Sequence, residues 1–264
     1  MPPTDPPDTL PPDRPVTLDQ HDRAIVSAVL AGDAAPWEWA AVPCGRVVLT
    51  VSRDVLRVRR EGVLVRVGVS PPLAQALADH WACVLSTPRM VDAIFAAAPL
   101  LVPQPQWKPG ADIAAPTFEV AHSTAIDTAI ARLPQAAQGL LGTLGKDWVL
   151  CKRLWALART NLHRVNYGWP YTTERPQTYP AVSNALPDAP RSWVIQPPGE
   201  AHNDAHRDYS QTFRAVQRAC LFDGEPADVA ELLTGPNAGE LSLEGPLPGA
   251  RLPALPAMPL ASLV

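Results

Sequence analysis

Lysine is nearly missing from this chain: Lys108, Lys146 and Lys152 are all it has in 264 residues. The remaining basic residues are scattered arginines, and 22 basic against 26 acidic groups leave a net charge of −4. Without a basic stripe there is no electrostatic footprint for a phosphate backbone, so no nucleic acid is expected as a partner. No apolar run approaches the length of a bilayer-spanning helix, and no membrane insertion is expected. The opening Met1-Pro-Pro-Thr-Asp-Pro-Pro-Asp is acidic and proline-rich, the reverse of a secretory signal, which points to a cytoplasmic location. Cys44, Cys83, Cys151 and Cys220 form no CxxC pair, so zinc-finger spacing is absent and core filling is the expected use of these thiols. No G-x-S-x-G run occurs either, which removes the nucleophile elbow of the α/β-hydrolases.

Proline is what the chain has in excess, 32 residues unevenly spread. Seven of them fall in residues 1–15, predicting a disordered arm, and residues 236–264 form a second proline-rich tail, without helical or strand period and apolar enough to lie along the domain surface. Between the arms, residues 16–110 read as an antiparallel meander with helices, and residues 111–235 as a loop-rich α+β subdomain. The fold class is α+β, an N-terminal antiparallel β-meander with helices followed by a second, mixed sheet.

Local signals support that division. Thr17 and Gln20 stand at capping-box spacing before an apolar stripe of Ile25, Val26, Val29 and Leu30. Residues 46–51, 55–58 and 63–69 alternate apolar side chains, with turns at Arg53-Asp54 and Glu61-Gly62 and with Arg57, Arg59 and Arg66 outward. Ser70-Pro71 and Thr87-Pro88 each pair a capping hydroxyl with a first-turn proline, and a further helix is predicted to begin at Ser123. Residues 147–150 and 193–195 read as buried strands joined by a long loop. Residues 213–222 fit a strand or a helix equally, and residues 226–233 a short helix stopped by Gly235-Pro236.

The chemistry is concentrated in one stretch. His202, Asp204, His206, Asp208, Tyr209, Ser210 and Arg214 fall within thirteen positions, a density suited to proton transfer, metal ligation or holding an anion. His202 and His206 have the i, i+4 spacing of zinc ligands on a helix, but the preceding Gly199-Glu200 reads as loop, so neither a metal nor another cofactor is expected. His202, Asp208 and Ser210 are instead the residue types of acid–base and nucleophilic catalysis, with Arg214 able to hold a carboxylate or phosphate. His122, placed just before the predicted helix start, is expected as a second, neutral donor. Lys146-Asp147 opens an apolar strand after a glycine-flanked run, a substrate-facing position. Tyr167-Gly-Trp169 and Trp193 fit either core packing, the commoner use of such residues, or an aromatic wall for a sugar or peptide.

Lys146-Asp147-Trp-Val-Leu, Tyr167-Gly-Trp, Ile195-Gln-Pro and His202-x5-Asp208-Tyr-Ser-x3-Arg214 together resemble the signature of a family of uncharacterised bacterial proteins, over most of the chain. The resemblance implies histidines where Leu144 and Gln211 stand here and tyrosine in place of His206, and hence an altered or degenerate site. A fainter likeness is to the L,D-transpeptidases, whose histidine motif ends in a cysteine. Tyr209-Ser-Gln-Thr-Phe-Arg214 has no such thiolate, and Cys220 comes too late to supply it.

The expected function is that of a hydrolase acting on a polar, sugar- or peptide-like substrate. His202, Asp208, Ser210 and His122 would be catalytic; Arg214, Lys146, Asp147, Tyr209 and Trp169 would bind substrate. The alternative is a non-catalytic binding or accessory protein whose partner is another protein.

Overall fold

The computed structural model describes residues 16–98, 100–101, 114–132, 139–142, 144–160, 163–170 and 194–264. The chain starts with α1 (Gln20–Leu30), capped by Asp19, whose carboxylate accepts the Asp22 N–H, rather than by Thr17. Two hairpins follow: β1 (Trp39–Cys44) with β2 (Val47–Ser52), and β3 (Arg57–Arg60) with β4 (Val63–Arg66). Glu61 and Gly62 both take positive φ between β3 and β4, the twist a two-residue hairpin requires. α2 (Pro71–His80) and α3 (Pro88–Ala97) flank β5 (Cys83–Val84), and both begin where the serine- and threonine-proline pairs predict. Ser70 caps the Leu73 N–H and Thr87 the Met90 N–H.

The two-residue β6 (Leu100–Leu101) lies before α4 (Pro116–Ala131) and pairs in parallel with β7 (Leu141–Gly142) beyond it. α4 starts seven residues ahead of the expected Ser123, with Pro116 in its first turn and no side-chain cap. Its N-terminus carries no hydroxyl signal, so the sequence shows only a proline that also suits a linker. The second half supplies β8 (Lys146–Trp148), α5 (Arg153–Thr160), β9 (Arg164–Pro170), β10 (Val194–His202) and β11 (Gln211–Thr212). It then runs through β12 (Val216–Gln217), β13 (Ala219–Phe222), β14 (Glu225–Asp228) and α6 (Val229–Thr234), so within the ambiguous 213–222 segment the regular structure is strand, and the expected 226–233 helix begins only at Val229.

The architecture is α+β. A curled sheet in the order β14-β13-β2-β12-β5, with β1 on β2, takes strands from both halves of the chain. A mixed sheet, β10-β9-β8-β11, is antiparallel except where β11 runs parallel to β8. Among the described residues no helix is long and apolar enough to cross a membrane.

One large cluster of buried side chains links these layers, and two expectations change inside it. Arg66, expected outward, is 1% exposed. Its guanidinium forks onto Asp54 at 2.9 and 2.7 Å and reaches Asp127 at 2.7 Å, so alternation failed because partners from the preceding turn and α4 cover that face. The tail, expected on the surface, contributes Leu241, Leu247, Leu252, Leu255, Leu260 and Leu263 to the main core. Aperiodic spacing hid this burial, because a chain without regular structure buries residues by contour rather than by period. All four cysteines are free and buried, as core fillers should be. The proposed arm over 1–15, and the 171–193 part of the long loop with Trp193, lie outside the described residues.

Candidate functional site

Register in the mixed sheet decides which side chains meet. Lys146 stands opposite Gly168 on β9 and Gln211 on β11, while Asp147 stands opposite Tyr167 and Thr212. Trp148 faces Asn166, which in turn faces Gly199 on β10. Because successive side chains alternate, Lys146, Trp148, Asn166 and Gln211 share one face, and Asp147, Tyr167 and Thr212 the other. The neighbouring Lys146 and Asp147 are therefore in different environments.

On the first face Asp208 is the centre. Its Oδ2 receives Lys146 Nζ at 2.7 Å, and its Oδ1 accepts the Ser210 N–H at 2.8 Å and the Ser210 hydroxyl at 2.7 Å. Asp208 and Lys146 are 4% and 8% exposed. Burial would raise the Asp208 carboxyl, but the His206 imidazole, the Lys146 ammonium and the Ser210 hydroxyl hold it well below the usual carboxylate range. The His202 and His206 rings stack at 3.6 Å and 9°, with the Trp148 indole edge-on to both at 6.3 and 6.4 Å. Burial, with His206 and Lys146 adding repulsion, pushes His202 down to about 4. Its imidazole is therefore uncharged at neutral pH. Asp204 accepts from the buried Arg164 at 2.5 and 2.9 Å, and Arg164 donates to the Pro253 carbonyl, fastening this segment to the tail.

Two glycines let the Asp208–Ser210 segment come close. A Cβ at Gly145 would lie 2.5 Å from the Ser210 carbonyl oxygen, and one at Gly68 would strike the Asp208 carbonyl. The Lys146 N–H donates to that same Ser210 carbonyl at 2.8 Å, which sets the height of Lys146 against Asp208.

The other expected residues are placed differently. His122 lies in the body of α4, not ahead of it, so the macrodipole has no hold on it. Burial first, then Arg66, pushes its imidazole down to about 4. It meets the cluster through Tyr209, whose ring is edge-on at 4.9 Å and whose phenol burial raises to about 12. Arg214 is buried and donates to the carbonyls of Ser52 at 2.7 Å, Arg53 at 3.2 Å and Leu141 at 2.8 Å. It tethers β2 and β7 and stands with Asp147 on the opposite side of the sheet, where burial lifts the Asp147 carboxyl to about 6. Trp169 sits on β9, and its side chain is outside the described residues.

No motif singles out Asn166, and Gln211 enters only as a place where the resemblance implies histidine. Both are fully buried, and among the described residues neither the amide oxygen nor the amide nitrogen of either has a hydrogen-bond partner. An asparagine at an inward position between Val165 and Tyr167 was the available signal. The stacked histidines are poorly disposed toward one metal ion. Lone pairs lie in the ring planes, and parallel planes this far apart do not converge on a point about 2.1 Å from each nitrogen. Among the described residues no group of three or more His, Cys, Asp or Glu could hold a metal.

Comparison with protein-family models, with curated proteins and with solved structures finds no match to this chain.

Proposed function

We propose that the Lys146–Asp208 face of the mixed sheet is a hydrolytic site for a polar, sugar- or peptide-like substrate. Water is the nucleophile and His202 takes its proton. The amides of Asn166 and Gln211 carry this reading. Each buried polar group left without a partner costs about 1–3 kcal/mol, and both stand on the face of the buried Lys146–Asp208 ion pair. A substrate rich in carbonyl, amide or hydroxyl groups recovers that cost on binding. His202, uncharged at neutral pH, is ready to accept a proton as the water oxygen bonds to the scissile carbon. The leaving group then departs with the proton returned from His202. Asp208 with Lys146 positions the segment, and Arg214 and Asp147 act elsewhere.

The test is turnover of a panel of short peptides, cell-wall muropeptides and glycosides by wild type and His202→Gln. The variant should lose about a hundredfold or more in kcat/KM while its melting temperature stays within a few degrees. Equal turnover by both proteins removes His202 from the chemistry.

A second reading has its own support. The Ser210 hydroxyl donates to Asp208 and not to an imidazole, so no serine–histidine relay is assembled. A binding or accessory protein with a degenerate site would be stabilised by members of the same panel without consuming them.

A further inference from the structure

A second concavity lies apart from this face, between the β2–β3 turn and α4. It encloses about 120 Å³, and its wall includes Trp37, Val55, Ile130 and Leu141. Three arginines and three carboxylates complete the lining, and their charges cancel pairwise. Arg66 is forked on Asp54 and reaches Asp127, Arg53 donates to Glu38 at 2.9 Å, and Arg57 lies 3.4 Å from Asp54. With these charges already balanced, a ligand's own charge gains no net attraction here, and a neutral ligand is favoured.

What the pocket still offers is hydrogen-bonding capacity without net charge. Among the described residues, one carboxylate oxygen of Glu38, one of Asp127 and both terminal nitrogens of Arg57 have no partner. Their side chains are 64%, 53% and 29% exposed, so a ligand can reach them. Planar acceptors beside a planar donor suit hydroxyl groups, each of which both donates and accepts. Trp37 supplies the apolar side. It is braced edge-on by Trp81 at 5.1 Å and by the buried Phe213 at 6.2 Å, so it loses little freedom when a ligand packs on it.

We infer that this pocket binds a neutral sugar ring, with its C–H surface against Trp37 and its hydroxyls on Arg57, Glu38 and Asp127. The volume is below that of sites for larger ligands, which fits one ring held weakly. This binding is independent of the hydrolytic reading.

Ligand-observed NMR on the full chain tests it, using methyl glucoside and N-acetylglucosamine as neutral probes and glucuronate and glucosamine as charged ones. The neutral sugars should bind with a Kd of about 1–10 mM, with saturation transfer strongest for ring C–H protons. Trp37→Ala and Arg57→Leu should each weaken binding about fivefold or more. Trp37→Ala also loosens contacts to Phe213, so the exposed Glu38→Ala serves as a variant that keeps the fold, and it should weaken binding too. No binding by the neutral sugars, tenfold tighter binding of a charged probe, or insensitivity to both Arg57→Leu and Glu38→Ala would each overturn the inference.

Discussion

Asp208 and Lys146 illustrate how a buried ion pair constrains a site. Both side chains are buried, and each charge is tolerable only while the other is present. Lys146→Ala should therefore cost about 3–5 kcal/mol in urea unfolding. Adding Asp208→Asn should cost less than the sum of the two single changes, because the second removes a charge the first has stranded; strict additivity would show that the pair is not coupled. His122 permits a second prediction. The unfolded chain takes up its proton near the ordinary histidine value of about 6.5, and the folded chain near 4. Between those values unfolding binds a proton, so this contribution is full above pH 6.5 and is lost as the pH falls. Asp22, Asp92 and Asp147, each lifted to about 6 mainly by burial, act in the opposite direction over nearly the same window. The effect of His122 is thus best read as a difference. Relative to His122→Leu, wild type should lose up to about 3 kcal/mol between pH 6.5 and 4, and a difference that does not change with pH would contradict the buried neutral imidazole.

At the scale of elements, the site depends on how β11 is laid along β8. Gly145 is the hinge of that pairing, since any side chain there meets the Ser210 carbonyl and Thr212. Gly145→Ala should force β11 away from β8, with a loss of about 1–3 kcal/mol in unfolding free energy and loss of whatever binding the Lys146 face supports. A substitution as stable as wild type and with binding intact would mean that the segment can shift without consequence. Elements with local chemistry were legible beforehand: Ser70 and Thr87 cap α2 and α3 as their proline partners imply, and the Glu61-Gly62 turn joins β3 and β4. α4 starts without a capping hydroxyl, so its first seven residues carry no start signal in sequence besides Pro116. β12 and β13 lie in a short apolar run with no period that separates strand from helix.

For the molecule as a whole, the proline-rich tail proves structural. Its six buried leucines, from Leu241 to Leu263, join the core formed by α1, α2 and the curled sheet. Burial of each leucine is worth about 1.5–3 kcal/mol, so the six together are comparable with a typical net stability of about 5–15 kcal/mol. A chain ending at residue 235 should consequently lose its cooperative thermal transition by circular dichroism; a folded, two-state product would show that the tail merely covers a self-sufficient domain.

Composition and local pattern alone determined that the chain is α+β, where α2 and α3 start, that its cysteines are core residues, and that polar chemistry gathers between residues 202 and 214. These follow from nearest neighbours in sequence, where capping, turn formation and alternation operate. Only tertiary structure decided that Lys146 and not Asp147 meets Asp208, that Arg214 donates to backbone carbonyls, and that, among the described residues, Asn166 and Gln211 stand without hydrogen-bond partners on the Lys146 face. Strand register and burial are set by contacts between distant segments, and no local pattern encodes which face of a strand another segment will cover.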